Sequence, residues 1–192
     1  MKKFLFFAFL LLIIFIGIYI AFLPILSKTA QIEANKAAQK IYTKAVNDAT
    51  VKSEIDLTSL LKEQSGDING FSADMNKVNL WKEYFIEEIE KNIKNKKYTA
   101  KIPIGTLLGT AFTYAKGPDI NIKILLGGYI NADVKTKIES AGINQSKYSI
   151  YVVVSSKMFA YLPFEKSEFE NETEIYLAEF ITVGEVPSVY RY

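Results

Sequence analysis

The sequence predicts an α+β protein in which a single N-terminal transmembrane helix precedes an antiparallel β-meander of long strands packed against an amphipathic helix. Residues 4–26 carry no charge, residues 74–95 repeat apolar side chains at helical spacing, and residues 119–183 alternate apolar and polar side chains. These patterns divide the chain into four predicted segments: a cytoplasmic N-terminus at 1–3, a transmembrane helix at 4–26, a helical connector at 27–52, and an extracytoplasmic α+β domain at 53–192.

The uncharged run is long enough to cross a bilayer. At about 1.5 Å of rise per residue, residues 4–23 span roughly 30 Å, the thickness of the hydrocarbon core. A signal peptide has a shorter apolar core of about 7–15 residues and a small-x-small cleavage site. Here only the weak site Ser27-Lys28-Thr29-Ala30 follows the run. We therefore predict a retained anchor, in preference to a cleaved signal peptide or a buried core helix.

The charges beside the run predict its orientation. Lys2 and Lys3 precede it, and cationic clusters stay on the cytoplasmic side. We therefore expect a single-pass protein of the cytoplasmic membrane, with the N-terminus inside and the C-terminal domain outside. Only three residues are then expected inside, which argues against a sensor that signals through this chain alone.

Composition restricts the chemistry. The chain has no Cys and no His, which excludes thiol nucleophiles, disulfides, Ser-His-Asp triads and His-based zinc sites. Its net charge is +2, so nucleic acid is not an expected partner. We predict a protein that is not an enzyme and has no cofactor, metal site or catalytic residue.

The connector at 27–52 has a stripe of small apolar side chains, mostly alanine, at three- and four-residue spacing. We expect it to continue the membrane helix, with Pro24 as a point where the helix could kink or break. The stripe favours packing on the protein's own domain over pairing with a second copy or another membrane protein.

Next along the chain, residues 57–71 predict a short hairpin that turns at Ser65-Gly66-Asp67. Residues 74–95 then predict the main helix of the domain, capped by Ser72 or Asp74. Its apolar face consists of Val78, Trp81, Phe85, Ile89 and Ile93. The glycine-punctuated segment 102–110 reads as irregular.

Three long strands complete the prediction. The first covers residues 119–139 and stays in one register across Gly127-Gly128, so we expect a single strand bent at the glycines. A turn follows with Gly142 at positive φ. The second strand, 147–162, is apolar on both faces and is expected to be central or to contact a helix, and the third covers residues 168–183.

Several motifs in this half resemble the YunB family of sporulation proteins of endospore-forming Firmicutes. They are residues 102–109 (IPIGTLLG), Gly117-Pro118, residues 140–146 (SAGINQS) and residues 179–190 (EFITVGEVPSVY). The family-like positions are Gly105, Gly109, Gly142, Asn144, Gln145, Glu179, Gly184, Pro187 and Tyr190. One departure is visible, because Lys147-Tyr148 stands where many members are expected to have a His.

The resemblance implies a membrane protein that is made in the mother cell and needed for spore formation, with no enzymatic activity to carry over. Its outer domain would then face the space between the mother-cell and forespore membranes. Expected partners are the membrane and an unidentified protein of the developing spore envelope, and a homo-oligomer is left open.

The third strand offers a candidate partner surface. Four glutamates share one face: Glu168, Glu170, Glu172 and Glu174. A solvated or edge-strand face is the favoured interpretation, because such charges block edge-to-edge aggregation. A docking strip for a basic partner or divalent cations is the alternative.

Glu179 shares the parity of the apolar side chains of that strand, so an undistorted strand would turn its carboxylate inward. A β-bulge would turn it outward instead. We interpret it as a structural residue.

The rival functional hypothesis is an extracytoplasmic carboxylate-dependent cell-wall hydrolase, which would need two carboxylates about 5–10 Å apart. Glu179 and Glu185 are the pair available for that role.

Overall fold

The computed structural model describes residues 2–64, 70–94, 98–142 and 144–183. It contains a long helix α1 (Lys2–Ser53), a 3-10 turn (Leu57–Leu60), a hairpin of β1 (Leu61–Gln64) and β2 (Gly70–Ala73), and a helix α2 (Met75–Lys94). Then follow β3 (Tyr98–Pro103), a short helix α3 (Ile104–Leu107), β4 (Asp119–Gly142), β5 (Gln145–Tyr161) and β6 (Lys166–Val183). The predicted α+β class is confirmed.

The last four strands form one antiparallel sheet in the order β3-β4-β5-β6. β3 pairs with the start of β4, from Tyr98 opposite Ile124 to Pro103 opposite Asp119. β5 therefore lies between two neighbours, as its two apolar faces predict, while β3 and β6 are the edge strands among the described residues.

The chain forms two compact units, and α1, β4, β5 and β6 each contribute to both. The first unit comprises Met1–Ala38, Lys97–Leu126 and Met158–Phe169; the second comprises Gln39–Lys96, Gly127–Lys157 and Glu170–Tyr192. Each unit has its own buried side chains.

In the first unit, α1 contributes Leu26 and three completely buried alanines, Ala30, Ala34 and Ala38. The strands of this unit add apolar side chains, among them Ile102, Ile122, Ile124, Leu126, Met158 and Ala160. The Ala stripe is therefore used inside the chain's own fold, which confirms the favoured interpretation of the connector. α1 runs through Pro24 without a break, although proline removes one backbone donor there.

In the second unit, α2 buries a stacked pair of aromatic rings and makes polar contacts with α1. Trp81 and Phe85 are fully buried and stack with ring centroids 4.9 Å apart. The Trp81 indole donates to Thr50 Oγ1 at 3.2 Å, and Lys52 forms an ion pair with Glu87 at 2.6 Å. The predicted apolar face of α2 is confirmed, except that Ile93 is half-buried.

The same helix also buries Glu88 and Asn92, which the apolar periodicity did not predict. Lys91 donates to both Glu88 oxygens at 3.2 and 3.1 Å, so this carboxylate keeps a cationic partner. Asn92 donates to the Glu88 carbonyl at 2.7 Å and accepts from Lys44 Nζ at 3.1 Å. A buried polar group is tolerated when it is paired in this way.

The strand predictions hold for the most part. β4 is one strand in which Gly127 has φ +119°, a value that only glycine adopts easily. The first four residues of the predicted hairpin are a 3-10 turn, and its predicted turn Ser65-Gly66-Asp67 lies outside the described residues. β3 was not predicted, and the segment read as irregular includes its last two residues, Ile102 and Pro103.

Candidate functional site

The structure brings the family-like motifs together in two pairs, one in each unit. In the first unit, residues 102–109 meet the Gly117-Pro118 turn. The Ile104 amide donates to the Pro118 carbonyl at 3.0 Å, and the Gly105 amide donates to the Lys116 carbonyl at 2.9 Å. These bonds close the loop between β3 and β4.

The glycines of this loop have a steric explanation. A Cβ on Gly105 would lie 2.0 Å from the Thr113 carbonyl oxygen and 2.5 Å from that of Lys116, too close for any side chain. Gly109 and Gly117 have φ values of +67° and +90°, in the left-handed region that favours glycine. The backbone conformation of the loop therefore requires the glycines of the motif at 102–109.

The outer surface of this loop is apolar. Four large side chains are exposed there: Ile104, Leu108, Phe112 and Tyr114. Phe112 is 87% exposed, which is unusual for phenylalanine. Neighbouring exposed apolar side chains of this kind are typical of binding surfaces.

In the second unit, the β4–β5 turn meets the end of β6. Gly142 and Asn144 have φ values of +148° and +59°, which explains why glycine and asparagine occupy this turn. Gln145 begins β5. Thr182 Oγ1 donates to the Ser146 carbonyl at 3.3 Å, which ties the turn to β6. Gly184, Glu185, Pro187 and Tyr190 lie outside the described residues.

Glu179 is the charged centre of this second pair. Its Oε1 accepts from Lys147 Nζ at 3.2 Å and from Ser149 Oγ at 3.1 Å. The side chain is 46% exposed, so the inward orientation expected for an undistorted strand is wrong. Along β6 the alternation of burial shifts by one residue between Leu177 and Ala178, as expected of a β-bulge.

Lys147 links two carboxylates. Its Nζ lies 3.2 Å from Glu179 Oε1 and 3.7 Å from Glu139 Oε2, and Glu139 also pairs with Lys137 at 2.8 Å. The hydrogen bond from Lys147 to Glu179, followed by their charge interaction, raises the pKa of Lys147. The Lys137 hydrogen bond is the main cause that lowers the pKa of Glu139. Lys147 and Glu139 therefore favour their charged forms, which suits an ion-pair network better than proton transfer.

Tyr148, at the position next to Lys147, takes part in an aromatic cluster. Its ring lies 5.2 Å from that of Phe71, and Phe71 stacks on Phe180 at 5.0 Å. These contacts hold the β1–β2 hairpin against β5 and β6. Both residues found where a His was expected thus have structural contacts in this chain.

The four glutamates of the predicted partner surface are all exposed on one side of β6. Glu168 lies in the first unit, whereas Glu170, Glu172 and Glu174 lie in the second. Because β6 is an edge strand, these charges are where they can discourage edge-to-edge pairing. Within the described ranges, no group of three or more acidic, His or Cys side chains is arranged to hold a metal ion.

One helix in the described part of the chain is long and apolar enough to cross a membrane, and it is α1. None of its most apolar window is buried in the protein. A signal sequence near the N-terminus passes the same test of length and composition, so the finding establishes a candidate span. It fits a single-pass membrane protein.

Comparisons with known proteins show which family this chain resembles. Residues 99–189 match the family model for sporulation protein YunB. The sporulation protein YunB of Bacillus subtilis (strain 168) is 23% identical over 181 residues, covering 88% of this chain and 71% of that protein. No solved structure matches. The resemblance to the YunB family of sporulation proteins is therefore confirmed, and residues 99–189 are the region that carries it.

Proposed function

We propose that this chain is a membrane-anchored, non-enzymatic assembly or interaction protein of spore formation, with its domain outside the cytoplasmic membrane. The observation that carries this proposal is the continuity of α1. Residues 4–18 are exposed on every face, whereas from Leu26 onward the same helix contributes buried side chains. One helix can therefore serve as a lipid-facing span and as part of a folded core.

The same continuity supports a retained anchor. The weak cleavage site Ser27-Lys28-Thr29-Ala30 lies within the helix, where Ala30 is completely buried and Ser27 Oγ lies 3.0 Å from Ser167 Oγ. Proteases cut exposed, mobile segments, and this one is helical and packed. We expect membranes to contain the intact 21.7 kDa chain. A mature form that begins near residue 31 would contradict the anchor.

The orientation is testable because the chain contains no cysteine. A Glu172→Cys variant should react with a membrane-impermeant maleimide in intact protoplasts, since Glu172 is exposed in the outer domain. Lys3→Cys is the matched control, and it should react only after the membrane is permeabilised. The reverse pattern would show that the domain is cytoplasmic.

The alternative to edge protection is that the exposed glutamates of β6 form a docking strip for a basic partner, and this alternative has a direct test. We expect Glu168, Glu170, Glu172 and Glu174, all changed to Gln, to reduce the yield of heat-resistant spores while the protein level stays normal. A control variant removes the same number of acidic charges elsewhere: Glu33, Glu54, Glu83 and Glu90 to Gln. Normal sporulation of the β6 variant would leave the strip with an edge-protecting role alone.

Photo-crosslinking in sporulating cells identifies the partner directly. A crosslinking amino acid at Glu172 should capture a defined basic protein, or a second copy of this chain, and the same amino acid at Lys123 should not. Both positions are exposed on strands of the same sheet. Capture of lipid alone from Glu172 would contradict the assembly role.

The alternative function, a carboxylate-dependent cell-wall hydrolase, gains no support from Glu179. The general acid of such an enzyme must donate a proton, whereas Glu179 Oε1 accepts hydrogen bonds from Lys147 Nζ at 3.2 Å and from Ser149 Oγ at 3.1 Å. Glu185, the other member of the pair, lies outside the described residues. Wall degradation by the purified protein that is lost on Glu179→Gln would revive this alternative.

A further inference from the structure

The turn between β5 and β6 presents apolar side chains to the outside of the first unit. The Leu162 amide donates to the Glu165 carbonyl at 2.8 Å, which closes a tight turn around Pro163 and Phe164. Phe164 is 77% exposed and Tyr161 is 45% exposed. Exposed apolar side chains grouped in this way are typical of protein-interaction or membrane-interaction sites.

Two contacts fix this turn along α1. The Phe164 ring meets the Tyr19 ring edge-on, with centroids 5.3 Å apart and an interplanar angle of 85°. Ser167 Oγ lies 3.0 Å from Ser27 Oγ. Eight residues of helix between Tyr19 and Ser27 span about 12 Å, and three residues of strand from Phe164 to Ser167 span about 10 Å. The end of the hairpin therefore runs along the helix toward its N-terminus.

This placement sets the depth of Phe164. Tyr19 lies within the uncharged run that ends at Leu26, seven residues or about 10 Å from its outer end. If the run spans the bilayer, Phe164 reaches below the end of the span. Tyr19 Oη is buried and has no hydrogen-bond partner within the described residues.

Charged side chains border the turn on its outer side. Glu165 and Lys166 are exposed immediately after Phe164. Lys166 Nζ lies 3.8 Å from the centroid of the Phe159 ring and 5.9 Å from that of the Tyr161 ring, so cation–π contacts hold the ammonium beside the turn. Lys28 is exposed two residues beyond the uncharged run. An apolar tip below a band of charge matches the order of acyl chains and headgroups in one leaflet.

We propose that the β5–β6 turn inserts Phe164, with Tyr161 beside it, into the outer leaflet of the bilayer that α1 spans. The turn is then a second membrane contact that holds the first unit against the lipid surface. The proposal commits to lipid because the tip is continuous with the lipid-facing part of α1. It rests on the proposed membrane anchor.

The test uses site-directed spin labels, which the absence of cysteine makes free of background. The full chain, labelled at Phe164→Cys, is reconstituted into vesicles of phosphatidylethanolamine and phosphatidylglycerol. Collision rates with oxygen, which concentrates in lipid, and with a water-soluble nickel chelate then report depth. Phe15→Cys, in the middle of the uncharged run, is the lipid reference, and Glu172→Cys is the aqueous reference.

We expect the Phe164 label to collide often with oxygen and several-fold less with nickel than the Glu172 label does. A label at Tyr161→Cys should give the same order of accessibilities, which guards against a local effect of one substitution. Nickel accessibility of the Phe164 label equal to that of Glu172 would overturn the proposal, and so would low accessibility to both reagents. A nickel-accessible Phe15 label would instead overturn the anchor itself.

Discussion

The hydrogen bond between Tyr42 and Ser156 gives a quantitative test of the second unit. Tyr42 is 0% exposed and Ser156 is 2% exposed, and the tyrosine hydroxyl donates to Ser156 Oγ at 2.5 Å. Removing one partner leaves a buried hydroxyl unpaired, which costs about 1–3 kcal/mol. Tyr42→Phe and Ser156→Ala should each lower the free energy of unfolding by about that amount.

The double variant distinguishes pairing from packing. With both hydroxyls gone, no buried polar group is left unpaired, so the loss should fall short of the sum of the two single losses by about 1–2 kcal/mol. Urea unfolding of the full chain in detergent micelles measures this, followed by the fluorescence of Trp81, the one tryptophan of the chain. Strictly additive losses would refute the assignment of this hydrogen bond.

The pH dependence of the same pair has a defined sign. Burial is the main cause that raises the pKa of Tyr42 above its ordinary value of 10.0, against a smaller lowering by the Ser156 hydrogen bond. A raised pKa means that the folded state holds the proton more tightly. The stability advantage of the wild type over Tyr42→Phe should therefore be constant below pH 10 and decline as pH rises through the folded pKa. An advantage that grows at alkaline pH would contradict this.

Three further outcomes follow from the structure. Gly105→Ala should lower the free energy of unfolding in urea by about 1–3 kcal/mol or more, because the new Cβ meets carbonyl oxygens that cannot move aside. Gly109 lies in open space at positive φ, so Gly109→Ala should lower it by about 1–2 kcal/mol. Tyr19→Phe should leave the melting temperature in micelles unchanged or higher, since it removes only an unpaired buried hydroxyl. The Lys62 hydrogen bond is the main cause that lowers the pKa of Asp74, so the loss caused by Asp74→Asn should be present above pH 3.8 and disappear as pH falls through the folded pKa.

The long strands and α2 were predictable because a single period governs each of them. β4 keeps its apolar side chains on even positions across the glycines, and α2 repeats its core residues every three or four positions. Nothing in the local pattern of β6 signals where the register shifts, so the outward orientation of Glu179 could not be predicted. β3 is only six residues long and ends at Pro103, and so short an edge strand leaves little periodic signal.

The candidate site likewise has features that the sequence predicts and features that it does not. The sequence alone indicates that Gly142 needs positive φ, because glycine in a turn between two alternating runs has that common explanation. The clash that requires Gly105 to lack a side chain involves carbonyls eight and eleven residues away. The ion pair between Lys147 and Glu179 joins residues 32 positions apart. Such contacts depend on how the strands pair, which the local pattern does not encode.

The unbroken course of α1 has a consequence for how far this protein can reach. Residues 27–53 extend about 40 Å along the helix axis beyond the uncharged run. A disordered tether would let a domain search a range of heights above the membrane. If α1 is the proposed anchor, its continuous helix would instead hold its outer end at one distance from the lipid, and a partner there would have to be presented at a matching height.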